Sequence, residues 1–577
     1  MEGLREILFF LLSDNGMLAL IRAHITFREM GIATAFGLAL CFVLLRPMWM
    51  NSVLGKLEIV CVKFAKKRGM TILVASVFPI LVRVLLLPVI GVPVPHTHDE
   101  FSYLLAGDTF AAGRLTNPPH PMWIYFDTFH VNQHPTYMSK YPAAQGAFLA
   151  LGKIMGSPWI GVALSVGIMC GSILWALQGW LPPRWALVGG TLVILRVGIF
   201  SYWMNSYWGG AVAAIGGALV IGALPRIRRT WQTKYAVVLG LGVAILMNSR
   251  PFEGLIFCIP ISLYLAYLSC RRATLGLAIR QLVLPAGFVI AASLLFMGYY
   301  NWRGTGDPLL MPYTVNSRTY WSLPIFLWQK PTRRLQYSNP QFESFYNVWG
   351  RNEWMANSLR SPRSLVSHAF SVAIKLGYFF LWPELCVPLL AFVLFMVDAR
   401  TRFVTITAGF FLLSCMAVAW FQPHYVAPAL AAFAILLTQG MRHLRQFNLN
   451  QRPVGIGLTR VVVVFAILLS PLHAHSVEFR ALSRSGIESR ASIESELEKL
   501  PGQHLVIVRY SPWHSPLAEW VYNRADIDQA KVVWAREIPG VGLQPLLDYF
   551  KNRQVWQVDA DSSSPHLAPY RPSDGGI

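Results

Sequence analysis

A chain of 577 residues with 54% hydrophobic and 13% charged residues and a mean hydropathy of +0.45 is far more apolar than a soluble domain, in which about a quarter of residues are charged. This composition excludes a soluble enzyme and describes a polytopic membrane protein. The formal net charge of +21, from 49 basic and 28 acidic residues, would suggest nucleic acid in a soluble chain. In a membrane protein it belongs in cytoplasmic loops facing anionic lipid, so no nucleic-acid partner is expected.

The first stretch, MEGLREILFFLLSDNG, carries Glu2 and Arg5 and no small-residue cleavage site, and it reads as an interfacial helix. An extra apolar span near 31–47 completes an N-terminal region, 1–69. Apolar segments follow near 70–92, 157–180, 184–200, 209–224, 235–249, 253–269, 281–298, 380–397, 403–420, 427–441 and 460–474. With the first, these make about twelve transmembrane helices, several of them short. The loops KFAKKRG (63–69), RIRRTWQTK (226–234), CRRATLGLAIR (270–280) and RHLRQFNLNQR (442–452) are all basic, and alternating spans put them on one side, the cytoplasm. A membrane domain over 70–474 therefore displays its long loops, 93–156 and 299–379, on the outer face. The tail, 475–577, changes character: HLVIVRY (504–510), KVVWARE (531–537) and QVWQVDAD (554–561) read as buried strands and GLQPLLDYFKNR (542–553) as a helix, a small extracytoplasmic α/β domain. All seven cysteines lie in or beside apolar runs, so no disulfide framework is expected.

The chemistry collects on the outer side. The span 70–92, interrupted by Arg83, leads straight into VPHTHDEFSYLLAGDTFAAGRL, which opens with His96, His98, Asp99 and Glu100. Acids at a helix start complement its dipole, so taken alone the pair reads as a solvated N-terminus of a helix lying on the membrane surface. His120, His130 and His134 share the loop, but no spacing is a metal signature and HExxH is absent, so surface histidines in a Pro-rich loop are expected. The rings of SYWMNSYWGG (201–210) are expected at the lipid–water boundary. Outer loop 299–379 holds nine basic residues against Asp307, Glu343 and Glu353. GTGDP (304–308) lacks the spacing of a phosphate-cradling loop.

The order of these motifs resembles the GT-C superfamily of polyprenyl-phosphate-sugar-dependent glycosyltransferases, which includes the protein O-mannosyltransferases and the lipid A aminoarabinose transferases. The likeness rests on the Asp-Glu pair, the surface helix ending in AAGRL, MSKYPAAQGAFLALGKIMGSPWIGVALS (138–165), NSRPFEG (248–254), YYNWRGTGDPL (299–309) and QPHYVAPA (422–429). It departs in the extra first span and in Lys140-Tyr141-Pro142, where the group has a Lys-Pro pair. The resemblance implies a GT-C-like fold and sugar transfer from a polyprenyl-phosphate donor to a lipid, glycan or protein acceptor, among membrane lipids at the outer face of a bacterial inner membrane. It puts the base at Asp99, with Glu100 orienting it or binding the acceptor, and Asp108 and Glu253 as auxiliary carboxylates. Lys140, Arg250, His424, Tyr425 and Arg303 would then hold the donor phosphate. No cofactor is certain, but some relatives bind a divalent ion, for which His96 and His98 are the weak candidates. The chemistry suits these residue types: the leaving group is already a stable phosphate, so one carboxylate to take the acceptor proton and cations to hold the phosphate suffice.

Two other readings of the chain are a polyprenyl-linked glycan polymerase or ligase, which would use a diphosphate-linked donor, and a non-enzymatic transporter or sensor. A transporter should carry ionisable groups in mid-membrane, whereas Arg83, Arg196 and Lys375 are isolated. The assigned sidedness has a direct check. In a cysteine-free variant in spheroplasts, Pro118→Cys and Ser515→Cys are expected to react with a membrane-impermeant thiol reagent and Thr230→Cys to stay protected; the reverse pattern overturns the orientation.

Overall fold

The computed structural model describes residues 27–49, 51–321, 323–331, 334–337, 339–357, 362–381, 383–394, 401–475 and 487–571. The N-terminal interfacial helix expected over 1–16 lies outside the described residues, as do Arg333 and Arg360. Among the described residues nine helices are long and apolar enough to cross a membrane, and the shorter apolar helices Thr233–Met247 and Arg402–Met416 match two of the expected spans. The chain is a mostly helical, multi-pass membrane protein with a small sheet near its C-terminal end.

Pro158–Trp180 and Ala211–Thr230 form the centre of the bundle. Glycines let neighbouring backbones touch them: a Cβ on Gly217 would stand 1.8 Å from the Pro428 carbonyl oxygen, so only glycine lets the turn before helix Leu430–Arg445 settle against helix Ala211–Thr230. That turn carries His424 and Tyr425.

Three segments depart from expectation. The expected span 70–92 ends as a helix at Leu85; Pro88 begins the short helix Leu87–Ile90, and Gly91, at φ 73°, turns the chain out. Arg83 is fully buried there, with Nε donating to Asn205 Oδ1 at 2.7 Å, Nη2 to the Gly91 carbonyl at 2.6 Å, and its guanidinium 5.0 Å from the Trp159 ring centroid. A helix over Asn51–Ala65 was not expected, because Lys56, Glu58 and Lys63 break its apolar run; Glu58 pins it to the bundle through Arg445 at 2.7 Å and Arg460 at 2.9 Å. Finally, Pro362–Leu381 has the length and apolarity of a span. Yet His368 bonds the Met416 carbonyl, Lys375 donates to the Phe421 carbonyl and Arg196 Nε donates to the Phe379 carbonyl, so this helix crosses the ends of its neighbours on the face where the site lies.

The hairpin strands β1 (Val131–Asn132) and β2 (Met138–Ser139) pair antiparallel in the first long loop. In the tail, β3 (His504–Arg509), β4 (Val532–Arg536), β5 (Gln554–Asp559) and β6 (Ala568–Pro569) form one sheet in the order β4-β3-β5-β6, parallel except for β6, with helix Gln544–Tyr549 leading into β5. The continuous burial of β3 and β4 explains their unbroken apolar runs, since a parallel strand is covered on both faces. The sheet sits on the long loops. His98 Nε2 bonds the Pro516 carbonyl at 2.7 Å, Tyr137 donates to the Asn523 carbonyl at 3.0 Å, and Tyr522 stacks on Phe101 with centroids 4.1 Å apart.

Arg536 ties these parts together. Fully buried, it donates to Glu519 at 2.6 Å within the tail and to Gln341 at 2.9 Å in the second long loop. Removing one member of a buried pair leaves the other charge uncompensated, at a cost of about 3–5 kcal/mol. Arg536→Leu is therefore expected to lower Tm and to make the tail protease-sensitive, whereas Arg524→Ala, whose partner Glu498 is partly exposed, should change neither.

Candidate active site

The site begins where the chain leaves the span Arg68–Leu85 and starts helix His98–Ala111. Thr97 and Glu100 form a capping box. Glu100 Oε2 accepts the backbone N–H groups of His96 at 2.7 Å and Thr97 at 3.0 Å, while Oε1 accepts that of Tyr207 at 2.8 Å. Burial pushes its pKa up to about 7, although those three N–H groups favour the charged form. Glu100 thus fastens the helix start to the 201–210 turn. Asp99, half-buried beside it, accepts a hydrogen bond from the Tyr141 hydroxyl.

Lys140 comes from the hairpin. The β1–β2 pairing, the Lys140 N–H to the His130 carbonyl at 3.2 Å and the Ser102 hydroxyl to that same carbonyl at 2.6 Å fix its backbone. Its ammonium lies 2.8 Å from His130 Nδ1, and 5.1 and 5.2 Å from the ring centroids of Tyr141 and Tyr313. Burial lowers the Lys140 pKa to about 8, against the pull of Asp99. Burial and the neighbouring Lys140 hold His130 well below the usual imidazole range, so the neutral ring accepts a hydrogen bond from the ammonium. Tyr313 is 37% exposed, which leaves the chamber open on that side.

Arg250 precedes helix Pro251–Arg272; it bonds Glu253 at 3.2 Å and lies 4.5 Å from the Tyr425 centroid. The Ala144 N–H donates to the Asn248 carbonyl at 2.8 Å, tying this turn to the segment that carries Lys140 and Tyr141. Burial raises the Tyr103 hydroxyl well above the usual phenol range, with Asp99 and Glu253 adding to the shift and Arg250 opposing it. His424 is one layer back, with Nδ1 3.0 Å from the Tyr202 hydroxyl and its ring edge-on to Trp208.

Other residues singled out in the sequence are placed elsewhere. Asp108 pairs with Lys153 and faces the Ala525 N–H, between two helices and the tail. Arg303 is exposed near the end of helix Leu284–Thr305. Arg334 pairs with Glu343 at 3.3 Å. The histidines expected at the surface are in large part internal: His98, His120 and His130 are buried, because each has a hydrogen-bonding partner that offsets its desolvation. His98 stacks on Phe129, and burial lowers its pKa to about 4. The rings of 201–210 are likewise internal; Tyr202, Trp203 and Tyr207 are buried against Phe379, Phe380 and the Glu100 tie. Among the described residues no three His, Cys, Asp or Glu side chains come together as a metal site. Sequence reasoning did not assign Tyr103, His130, Tyr141 or Tyr313 to the site. Only Tyr141 had a signal, as the residue that interrupts the Lys-Pro pair.

No protein-family profile matches the chain, and no curated protein matches it in sequence. Its structure is similar to that of ArnT from Cupriavidus metallidurans bound to undecaprenyl phosphate, with TM-score 0.50 and 14% identity over 84% of this chain and 92% of that one. The chain has the GT-C fold. Two structures of the oligosaccharyltransferase of Archaeoglobus fulgidus match more loosely. The complex of AglB with an inhibitory peptide and a dolichol-phosphate gives TM-score 0.47 at 10% identity, over 85% of this chain and 69% of that one. The form tethered to an acceptor peptide gives 0.44 at 10% identity over 78% of this chain, which spans 63% of that one.

Within this GT-C fold, Glu100 is placed to act on the architecture of the site. Its folded pKa lies above the ordinary value of 4.5, so its contribution to stability is full below pH 4.5 and is lost as pH rises to about 7. Glu100→Gln puts a donor where an oxygen meets backbone N–H groups. It is expected to cost about 1–2 kcal/mol, read as a fall in Tm at acidic pH, and to flatten the decline between those two pH values.

Proposed function

We propose that this protein is an integral membrane glycosyltransferase that moves a sugar from a polyprenyl-phosphate donor to an acceptor at the outer face of the inner membrane. The observation that carries this reading is the convergence of Asp99, Lys140 and Arg250, from three separate segments of a GT-C fold, on one partly open chamber. Asp99 takes the proton of the acceptor hydroxyl as that oxygen attacks the anomeric carbon and the phosphate departs. Lys140, as a point charge, and Arg250, as a planar fork, hold the departing phosphate, with Tyr425 beneath the guanidinium and His424 behind it. Their separation from bulk water strengthens both contacts. Glu253 keeps Arg250 aligned, and Glu100 keeps the Asp99 helix start in register. Arg303, exposed near the end of its helix, meets anionic head groups at the rim. Residues 70–474 form the catalytic membrane domain and 475–577 its extracytoplasmic cover.

ArnT binds undecaprenyl phosphate, which makes that carrier the first to try. Purified protein in nanodiscs is offered undecaprenyl-phosphate carrying radiolabelled hexoses or pentoses, with envelope lipid, glycan and protein fractions as acceptors. Transfer is expected from one donor, and Asp99→Asn is expected to reduce it about 100-fold or more. Lys140→Ala and Arg250→Ala should weaken donor binding and slow transfer, while Arg524→Ala in the tail changes neither. No transfer from any donor overturns the reading; wild-type rates in Asp99→Asn remove the base, and unaltered donor affinity in both cation variants removes the phosphate site.

A further inference from the structure

Tyr141 separates Lys140 from Pro142, at the point where the chain departs from the Lys-Pro pair of the group it resembles. The extra residue touches Asp99, Lys140 and Tyr103. Its hydroxyl donates to Asp99; one side of its ring lies 5.1 Å from the Lys140 ammonium; and the ring stacks on Tyr103, with centroids 4.3 Å apart and planes 21° from parallel. Tyr103 belongs to the same helix as Asp99, one turn on, so the stack and the hydrogen bond are two separate attachments between Tyr141 and that helix. The Tyr141 backbone is anchored independently: its N–H donates to Ser139 Oγ at 3.1 Å, and its carbonyl accepts from the Tyr300 hydroxyl at 3.3 Å.

We infer that Tyr141 is a positioning residue that sets the distance and direction between the carboxylate of Asp99 and the ammonium of Lys140. An aspartate side chain with one oxygen held by a phenol cannot rotate freely, so its other oxygen is directed toward the acceptor. The aromatic face holds the ammonium electrostatically without neutralising it, as a paired carboxylate would, and Lys140 stays available to an anion. His130, at φ 63° and neutral, holds the ammonium from the other side. Without Tyr141 the ammonium would keep only His130 and Tyr313, and Asp99 would lose its hydrogen-bond donor; closing the Lys140–Asp99 pair would then remove both groups from use.

The inference rests on the proposed role of Asp99, and the test keeps the two apart. Tyr141→Phe retains the ring, the stack on Tyr103 and the seat of Lys140, and loses only the hydrogen bond to Asp99. With the donor found active in the panel above, it should lower kcat about 10-fold or more, the scale of a hydrogen bond to a charged group, with donor KM and affinity for undecaprenyl phosphate within about twofold of wild type. Tyr141→Leu removes the aromatic face as well and should also weaken binding of undecaprenyl phosphate. A purely structural residue would not divide its effects in this way. Wild-type kcat in Tyr141→Phe, while Asp99→Asn is inactive, overturns the positioning role and leaves the base in place. Wild-type activity in Asp99→Asn removes the base and the positioning role together.

Discussion

Charge removed from water at the loop face is the constraint on which the arrangement depends. Glu100 is buried with both carboxylate oxygens committed to backbone N–H groups, two from its own helix start and one from the 201–210 turn. Those bonds join segments more than a hundred residues apart and hold the start of helix His98–Ala111 at the mouth of the bundle. Asp99 is the adjacent residue, and its direction follows from that fastening. A carboxylate whose two oxygens are committed to the main chain is poorly suited to meet an acceptor, so on the proposed function the two neighbouring acids divide into a fastener, Glu100, and a base, Asp99.

The same rule governs the cations. Lys140 is held by a neutral imidazole and two aromatic faces, and Arg250 by one carboxylate and the ring of Tyr425. Lys140 is buried with no carboxylate hydrogen-bonded to it, and Arg250, half-buried, is paired with Glu253. Buried charges are ordinarily paired, and the absence of a bonded carboxylate at Lys140 is understandable where, as proposed, an anionic ligand completes it. The tail belongs to this arrangement as well. Through His98, Tyr522 and Arg536 it rests on both long loops, so the ordering of the chamber walls depends on a sheet encoded at the far end of the chain.

Length and apolar content determined the membrane class and most of the spans, because a helix crossing lipid must be apolar over its whole length whatever it packs against. Short apolar runs determined the strands of the tail, found at His504–Arg509, Val532–Arg536 and Gln554–Asp559 within the expected ranges. Asn51–Ala65 was unreadable for the complementary reason: its charges make sense only once Arg445 and Arg460 stand opposite Glu58. Pro362–Leu381 was as apolar as a span, and only its contacts with the ends of neighbouring helices place it across one face.

For the site, the sequence by itself determined which residue types gather on one side of the spans: an Asp-Glu pair, a lysine in the first long loop, and an arginine in a short turn. Local order suffices for that, since each lies beside an apolar boundary. Only the tertiary structure decided which of them meet. The contact between Tyr141 and Asp99 spans 42 residues, that between Arg250 and Tyr425 joins two distant turns, and the burial of His98 and His130 depends on the tail and the hairpin closing over them. Such pairings follow from packing among helices, which no periodicity along the chain records, because each partner satisfies its local pattern equally well without the other.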